Sequence, residues 1–330
     1  MPNQTLNLIW LVTTTYIDQT IVDSDDSTKQ TNKLTFQEKL DRARQRGTAG
    51  RGAAKSETPA PPARLPIWPD AVRAMPNSFL RSALFSAIRK GQKARRYINE
   101  ELLATVDGIE VRYKGEQLDQ GDLTTWATLL HAVRNQNLGT QCRLTSYSLL
   151  KMIGLTDSGK NRDTLHSRIM RLRANAVEIK QGRYTYIGGF IARAVKDEET
   201  QEWVIEIDAK IQSLFAPDQF TQIDWEIRRA LDGQQLAQWL HGFYASHAEP
   251  FPIRMETLLK LAGSENENPR SAQQKLRKAL DAFVAASEAH GQPISYEVRG
   301  GDLVYVEKQA QGTQRRHLAK KKAAVTKPRT

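Results

Sequence analysis

Several features that would signal an enzyme or a membrane protein are missing from this 330-residue sequence. A single cysteine, Cys142, rules out an internal disulfide and fits a reducing, cytoplasmic compartment. The apolar run at residues 6–12 is too short to span a bilayer and follows no basic segment, so neither a membrane helix nor a signal peptide is expected. No metal-ligand spacing links the six scattered histidines, and no carboxylate cluster suits two-metal chemistry. We therefore expect no enzymatic activity, no metal and no cofactor.

One near-motif tests that expectation. Gly154, Gly159 and Lys160 match the phosphate-loop spacing G-x-x-x-x-G-K, but Asn161 replaces the Ser or Thr that would hold magnesium. The segment before Gly154 is also predicted to be helical, and no parallel-sheet pattern surrounds it. These departures disfavour nucleotide binding, and the same residues fit the turn and phosphate-facing start of a DNA-contacting helix.

The charge balance is basic and uneven. Lysine and arginine total 48 against 37 acidic residues, giving a net charge of +11, so salt-sensitive attraction to polyanions is expected. Residues 309–330 carry seven of these cations and no acid, which leaves +4 for the rest of the chain. We predict a disordered basic tail there, and a flexible arm over residues 1–63, which end in a proline cluster.

A duplicated pattern dominates the middle of the chain. Residues 140–207 read as strand, short helix, turn, basic helix and β-hairpin, and residues 251–308 repeat that order. This order is the plan of a tandem winged-helix protein, in which the second helix of each copy lies in a DNA major groove. The sequence therefore predicts an α+β fold with two tandem winged-helix domains.

In the first copy, residues 142–144 form the predicted strand and Thr145 or Ser146 caps a short helix that ends near Gly154. A polar turn over residues 156–160 then leads into a long helix from about 161 to 176.

In the second copy, the predicted strand covers residues 251–254, the short helix 255–262 and the turn 263–268. Pro269 then occupies the first position of a long helix that ends near residue 290, a position where helices accept proline.

Each copy is preceded by a predicted helix with an apolar stripe, which supplies a third helix for a core. The stripe residues are Leu123, Trp126, Leu129, Leu130 and Val133 in the first, and Leu236, Trp239, Leu240 and Phe243 in the second.

Helical periodicity separates a core side from an outward side on both long helices. In the first, Leu165, Ile169, Leu172 and Ala176 face the core, and Lys160, Asp163, Ser167 and Arg171 lie opposite with Thr164 on the flank. In the second, Ala272, Leu276, Leu280 and Phe283 face the core, and Ser271, Gln274 and Lys278 lie opposite with Arg270, Lys275 and Arg277 on the flanks.

A hairpin wing is predicted after each long helix. In the first copy, residues 177–180 and 184–193 flank a turn at 181–183, and Trp203, Ile205 and Ile207 mark a third strand. In the second, residues 294–299 and 303–306 flank Gly300-Gly301-Asp302, where glycine can take a positive φ. Arg183 and Arg299 are placed at the two tips, where they could contact DNA.

The outward residues suit readout of double-stranded DNA, since Gln pairs with adenine and Arg or Lys with guanine, while other cations hold phosphates. Candidate base contacts are Ser167, Arg171, Gln274 and Lys278, and candidate phosphate contacts are Lys160, Arg162, Arg168, Arg270, Lys275 and Arg299. The alternative is a solvated basic face on an ordinary surface helix; two such helices in matching context favour DNA contact.

The sequence also resembles the TrfA-type plasmid replication initiators. Residues 64–85, RLPIWPDAVRAMPNSFLRSALF, are similar to the segment that opens the folded part of that family, with WPD, RAMPN and RSALF as the specific matches. Residues 214–216, 231–252 and 302–304 continue the likeness in order and spacing, so it covers about residues 64–308.

This resemblance implies two winged-helix domains: residues 64–222, with DNA contact and dimerisation, and residues 223–308, with DNA recognition. It further implies binding to direct repeats (iterons) at a plasmid origin, help in opening adjacent A+T-rich DNA, and recruitment of the host initiator and replicative helicase. Members of such families bind as monomers in equilibrium with inactive homodimers.

Two other classes stay open at this point. A winged-helix transcriptional repressor would bind a palindrome as a dimer and leave the duplex closed, whereas an initiator would bind tandem direct repeats and open neighbouring DNA. A structural scaffold would show no strong salt dependence on DNA.

Overall fold

A computed structural model describes residues 64–88, 95–266, 268–310, 312, 314–316, 318 and 319, which combine helices and strands. The predicted arm over residues 1–63 lies outside the described residues, as do residues 320–330 of the predicted tail. Two groups of buried apolar side chains form the interior. The first draws on residues 65–225 and the second on residues 227–306, so each copy of the repeated pattern has a core of its own.

The elements before the first copy form a framework that sequence patterns did not predict, apart from one helix. These elements are β1 Val72–Pro76, α1 Asn77–Leu80, β2 Phe85–Ser86, β3 Tyr97–Leu102, β4 Ile109–Glu116, β5 Leu118–Asp119 and α2 Gln120–Val133. Strand β1 pairs with β11 (Phe220–Asp224), which follows the first copy, and β2 pairs in parallel with β5. Helix α2 begins with a capping box in which the Asp119 and Asp122 side chains each accept a backbone N–H of the other residue.

The first copy has the predicted strand and helices. Strand β6 (Gln141–Thr145) leads into α3 (Ser146–Ile153), and the Thr145 hydroxyl caps that helix by accepting the Ser148 N–H. Gly154 ends the helix at φ 91°, a left-handed conformation that favours glycine. These boundaries confirm the prediction.

The long helix of the first copy, α4 (Gly159–Arg173), starts two residues before the predicted position because Ser158 caps it by accepting the Asn161 N–H. It also ends earlier than predicted. The Asn175 amide donates to the carbonyls of Arg171 and Leu172, which satisfies the last turn at that point.

The predicted wing of the first copy is wrong in its strand partners. Strands β7 (Ala176–Gln181) and β8 (Tyr184–Gly188) do form a hairpin, but β7 pairs on its other side with β4, in the sheet order β3-β4-β7-β8. The strand that contains Trp203 and Ile205, β10 (Glu202–Glu206), instead lies between β6 and β9 (Arg193–Lys196). The hairpin of this copy is therefore β9–β10, with its turn at residues 197–201.

The second copy confirms its predicted elements closely. They are β12 Ile253–Arg254, α7 Met255–Leu261, α8 Pro269–Ala289, β13 Ile294–Arg299 and β14 Leu303–Lys308. Asn268 caps α8 and Pro269 is its first residue. Gly300 and Gly301 both have positive φ at the hairpin turn. The sheet order β12-β14-β13 has the same arrangement as β6-β10-β9 in the first copy.

The predicted apolar stripes face the two cores. On α2 all five stripe residues are buried, and on α6 (Gln235–Ser246) Trp239, Leu240 and Phe243 are buried while Leu236 is partly buried. A short helix, α5 (Trp225–Ala230), connects β11 to α6. The predicted basic tail differs from expectation at its start, since residues 314–316 are helical and the Gln314 amide donates to the Ala245 carbonyl of α6.

Buried hydrogen bonds join the helices that precede the two copies. The Arg228 guanidinium on α5 is fully buried and donates to the Gln120 carbonyl (2.9 Å) and to the Thr124 hydroxyl (3.1 Å) on α2. Burial lowers the pKa of Arg228 to about 9, so the side chain is still charged at neutral pH. The Trp239 indole also donates to the Ser82 carbonyl, which ties α6 to the framework before the first copy.

Gly263 marks a close approach of the second copy to strand β2 of the framework, and its replacement by alanine is expected to destabilise the protein by about 2 kcal/mol. The residue has φ +65°, and a Cβ there would lie 2.5 Å from the Ser86 Cβ. Both the conformation and the space therefore oppose a side chain. Urea denaturation measures the loss, and Gly159→Ala, where a Cβ meets no atom within 4 Å, is the control. Equal stability of the two variants would contradict the close contact with Ser86.

Candidate nucleic-acid interface

Helix α4 presents a polar outward side opposite its core side chains. Lys160, Asp163 and Ser167 are exposed, whereas Leu165, Ile169 and Leu172 are buried, as the helical period predicts. The predicted core residue Ala176 is exposed at the start of β7 instead. Thr164 is half-buried, and its hydroxyl donates to the Lys160 carbonyl at 2.8 Å.

Arg162 is engaged with the turn that precedes α4. Its Nε donates to Asp157 Oδ1 at 2.6 Å and its Nη2 to Oδ2 at 2.7 Å, a paired geometry that neutralises the local charge. The hydrogen bond from Arg162 also lowers the pKa of the Asp157 carboxyl. This pair braces the turn and neutralises much of the Arg162 charge, which weakens its attraction to a phosphate.

The prediction that Arg171 faces outward is wrong. Its side chain is only 11% exposed, and its Nη2 donates to Asp122 Oδ1 at 2.8 Å on α2. The Asp122 side chain is 0% exposed and also receives Arg95 at 3.4 Å. The physical reason is that α2 packs along this flank of α4, which a single-helix period cannot reveal.

Arg168 lies on the same flank as Arg171. Its guanidinium occupies the space beside Gly121, in the first turn of α2, that a side chain at Gly121 would fill. Asp119, beside Gly121, attracts the Arg168 charge. Arg168 is thus directed at α2, and α4 keeps fewer outward cations than the sequence suggests.

The packing of α2 against α4 changes the pKa of the Asp122 carboxyl. Burial, followed by the nearby Asp119 charge, raises the pKa of Asp122 to about 6. At neutral pH Asp122 is ionised and depends on Arg171 and Arg95 for compensation.

Two α4 residues that sequence analysis did not single out define the edges of the outward side. Met170 is 50% exposed and lies three residues after Ser167, so it shares the outward stripe. The His166 ring instead packs beside the Trp203 ring, with centroids 5.5 Å apart, and so borders β10. Helical projection of the sequence also places Met170 on the outward side, but no polar group on its side chain marks it as a DNA contact.

Helix α8 confirms its predicted core side and presents more exposed cations than α4. Ala272, Leu276, Leu280 and Phe283 are buried. The exposed side chains include Arg270, Gln274, Lys275 and Lys278, while Ser271 is half-buried.

A cleft of about 1040 Å³ runs along one side of α8. Lys275 and Lys278 line one wall, and the first turn of α6 together with Leu259 lines the other. Arg277, on the remaining side of α8, donates to the Gly301 carbonyl at 3.3 Å and links the helix to the β13–β14 turn.

The two arginines predicted at wing tips have different positions. Arg299, next to the β13–β14 turn, pairs with Glu297 at 2.8 Å and lies 4.4 Å above the Tyr305 ring. Arg183 is in the β7–β8 turn, 5.6 Å from the Tyr184 ring, and so does not belong to the β9–β10 hairpin. The turn of that hairpin is acidic, since it contains Asp197, Glu198 and Glu199.

Comparison with known proteins identifies the family. The sequence profile of the family described as TrfA protein matches residues 63–290, more than half of the chain. The chain belongs to the TrfA family. The match includes both α4 and α8, while β13 and β14 lie beyond it.

A curated relative from the TrfA family gives the same result. The plasmid replication initiator protein TrfA of Escherichia coli is 26% identical to this chain over 226 residues. The aligned stretch covers 65% of this chain and 57% of the length of that relative.

Solved structures also align with this member of the TrfA family. A crystal structure of domains 2 and 3 of RctB covers 72% of this chain and 99% of its own, at 14% identity and a TM-score of 0.48. The crystal structure of the Pi initiator protein in complex with iteron DNA covers 57% of this chain and 91% of its own, at 10% identity and a TM-score of 0.42.

Among the described residues, no group of three or more His, Cys, Asp or Glu side chains is placed to hold a metal ion, and no helix is long and apolar enough to cross a membrane. Burial lowers the pKa of His131 to about 4, of His241 to about 3 and of His247 to about 4. These histidines are neutral core residues at pH 7.

Proposed function

We propose that this protein is a plasmid replication initiator that binds direct repeats (iterons) in double-stranded origin DNA and helps open the adjacent A+T-rich segment. Membership of the TrfA family and the name of the Escherichia coli relative support this function. The observation that carries it is the repetition of one arrangement, strand, short helix, long helix and hairpin, with the same strand order in both sheets. Each copy presents exposed basic side chains on its long helix.

On this proposal both copies are winged-helix domains, over residues 64–222 and 223–308, and α4 and α8 are their groove helices. The two separate cores support a division close to that position. Ile223 and Trp225 belong to the first core and Ile227 to the second, so the cores divide a few residues later, at α5. The buried Arg228 contacts with α2 would then hold the two groove helices in a defined relative position.

The proposed DNA contacts follow the exposed side chains. Ser167 on α4 and Gln274 and Lys278 on α8 are suited to base edges, because each carries a donor or acceptor on the outward side. Arg171 is not among them, since it is held by Asp122. Proposed phosphate contacts are Lys160, Arg270, Lys275 and Arg299, with Asp163 accepting from a base or water beside Lys160.

Opening of DNA on this proposal comes from binding energy. Two groove helices on one duplex would favour a bend, and a bend is least costly in flexible A+T-rich steps. The near-motif at Gly154, Gly159 and Lys160 lies at the end of α3 and the start of α4, not after a parallel strand, so it supports no nucleotide-driven step. We propose that the protein is not an enzyme.

The wider partners are proposed on family grounds. The host initiator and the replicative helicase would assemble on the opened origin, and monomer would be the DNA-binding form in equilibrium with a homodimer. The site of action would be plasmid DNA in the bacterial cytoplasm or nucleoid.

The test compares duplexes carrying tandem direct repeats, taken from plasmid DNA that adjoins the gene, with palindromic and shuffled duplexes of equal composition. We expect binding to the direct repeats at least about tenfold tighter, and new permanganate reactivity at thymines in the neighbouring A+T-rich segment. Preference for a palindrome with no reactive thymines would instead identify a repressor. Equal, salt-insensitive binding to all three duplexes would remove DNA recognition altogether.

A further inference from the structure

The outward stripe of α4 is narrow because both of its flanks are covered. On one flank Arg168 and Arg171 turn toward α2, and on the other the His166 ring packs beside Trp203 of β10. The exposed side chains left between these flanks are Lys160, at the start of the helix, and then Asp163, Ser167 and Met170. The last three, at spacings of four and three residues, lie within about 60° of one another around the helix axis.

Met170 is the apolar member of this stripe. Half of its side chain is exposed, although the core contacts of α4 are made by Leu165, Ile169 and Leu172 on the opposite side. Its thioether therefore adds little to the core, and it leaves apolar surface in water beside the polar side chains of Asp163 and Ser167. Burial of that surface would be favourable on contact with an apolar group.

We propose that Met170 is a specificity-determining residue that contacts the C5-methyl group of a thymine in the major groove; this inference rests on the proposed DNA-binding function. On the major-groove edges of the four bases, the thymine methyl is the distinctive apolar group, and the others present hydrogen-bond donors and acceptors. A methionine side chain is long and flexible enough to follow such a group. Ser167 and Asp163, on the same stripe, are left to contact the polar edges of neighbouring bases.

The experiment uses the full chain and duplexes that the wild-type protein selects from a random-sequence library. Each thymine of a selected duplex is replaced in turn by deoxyuridine, which removes the methyl group and keeps the base pair. For the wild type, we expect one position per repeat at which this replacement weakens binding by about fourfold, the effect of about one CH₂ group returned to water.

Three variants make the assignment to Met170. Met170→Ala should weaken binding to the thymine duplex by a similar factor and lose its sensitivity to uracil at that position, while Met170→Leu should retain both affinity and sensitivity. Ile67→Ala, which removes a side chain that is 89% exposed outside the long helices, is the matched control and should behave as wild type.

Two results would contradict the thymine contact alone, and a third would contradict the proposed DNA binding as well. If Met170→Ala keeps the uracil profile of the wild type, or if the wild type tolerates uracil at every position, the thymine contact is wrong while DNA recognition stands. If the wild type selects no duplex at all, the proposed function fails and the contact falls with it.

Discussion

Replacing Arg171 with methionine is expected to lower the free energy of unfolding by about 3 kcal/mol at pH 7.5. The change removes the guanidinium that binds Asp122, whose carboxylate is fully buried, and leaves Arg95 as its remaining cation at 3.4 Å. A buried charge that loses its partner costs far more than an exposed one. Urea denaturation of the full chain measures the difference.

The loss of stability in Arg171→Met should be larger at pH 7.5 than at pH 5. Because the folded pKa of Asp122 is raised to about 6, its contribution to stability is fully present below the unfolded value of about 3.9 and is lost as pH rises through about 6. Removal of Arg171 raises that folded pKa further. The variant should therefore lie closer to the wild type at pH 5 than at pH 7.5, because Asp122 can then take up a proton.

Two controls isolate this cause. Arg173→Met removes an exposed arginine from the same helix and should change stability by no more than about 0.5 kcal/mol. Asp122→Asn added to Arg171→Met should recover part of the loss, since position 122 then carries no buried carboxylate that needs a cation. If Arg171→Met has normal stability but an altered DNA sequence preference, Arg171 contacts DNA, and its assignment to the α2 contact is wrong.

The case of Arg171 shows what a helical period can and cannot predict. The period of α4 identified the buried Leu165, Ile169 and Leu172, because a core side chain recurs with the helix turn. It could not say that α2 covers the flank at Arg171, since that packing depends on residues about fifty positions earlier in the chain. Asp122 and Arg171 are each ordinary charged residues in sequence, and only the fold brings them together.

Local chemistry likewise explains which boundaries the sequence predicted. Thr145, Gly154, Asn268 and Pro269 act within one turn of their own helix, so α3 ended and α8 began where expected. The hairpin of the first copy was missed because its turn, residues 197–201, contains no glycine, and Gln201 takes a positive φ of 58° instead. Gly182 supplied a stronger turn signal nearby, but it belongs to the inserted β7–β8 hairpin.

The two copies therefore differ in the positive charge that they present to a polyanion. The β9–β10 turn carries Asp197, Glu198 and Glu199, whereas Arg299 stands beside the glycine turn of β13–β14. On α4 the Arg162, Arg168 and Arg171 side chains are directed at partners within the protein. We infer that the second copy supplies most of the electrostatic attraction to DNA.

Reversing two charges on α8, Lys275→Glu with Lys278→Glu, should accordingly weaken binding to the direct-repeat duplex by about 100-fold or more. Both lysines are exposed and line the same cleft, so the change removes two attractive charges and adds two repulsive ones. The slope of log affinity against log salt concentration should become shallower by about 1, because Lys275 is the proposed phosphate contact of the pair and Lys278 the proposed base contact. Fluorescence anisotropy across a salt series measures both quantities.

A second double variant with the same change in net charge distinguishes a local contact from general attraction. Lys114→Glu with Lys210→Glu alters β4 and the 3-10 helix Ala209–Phe215, outside both long helices. It should reduce affinity only a few-fold, through the net charge alone. If both double variants lose affinity by the same factor, long-range charge accounts for the whole effect, and α8 makes no direct contact with DNA.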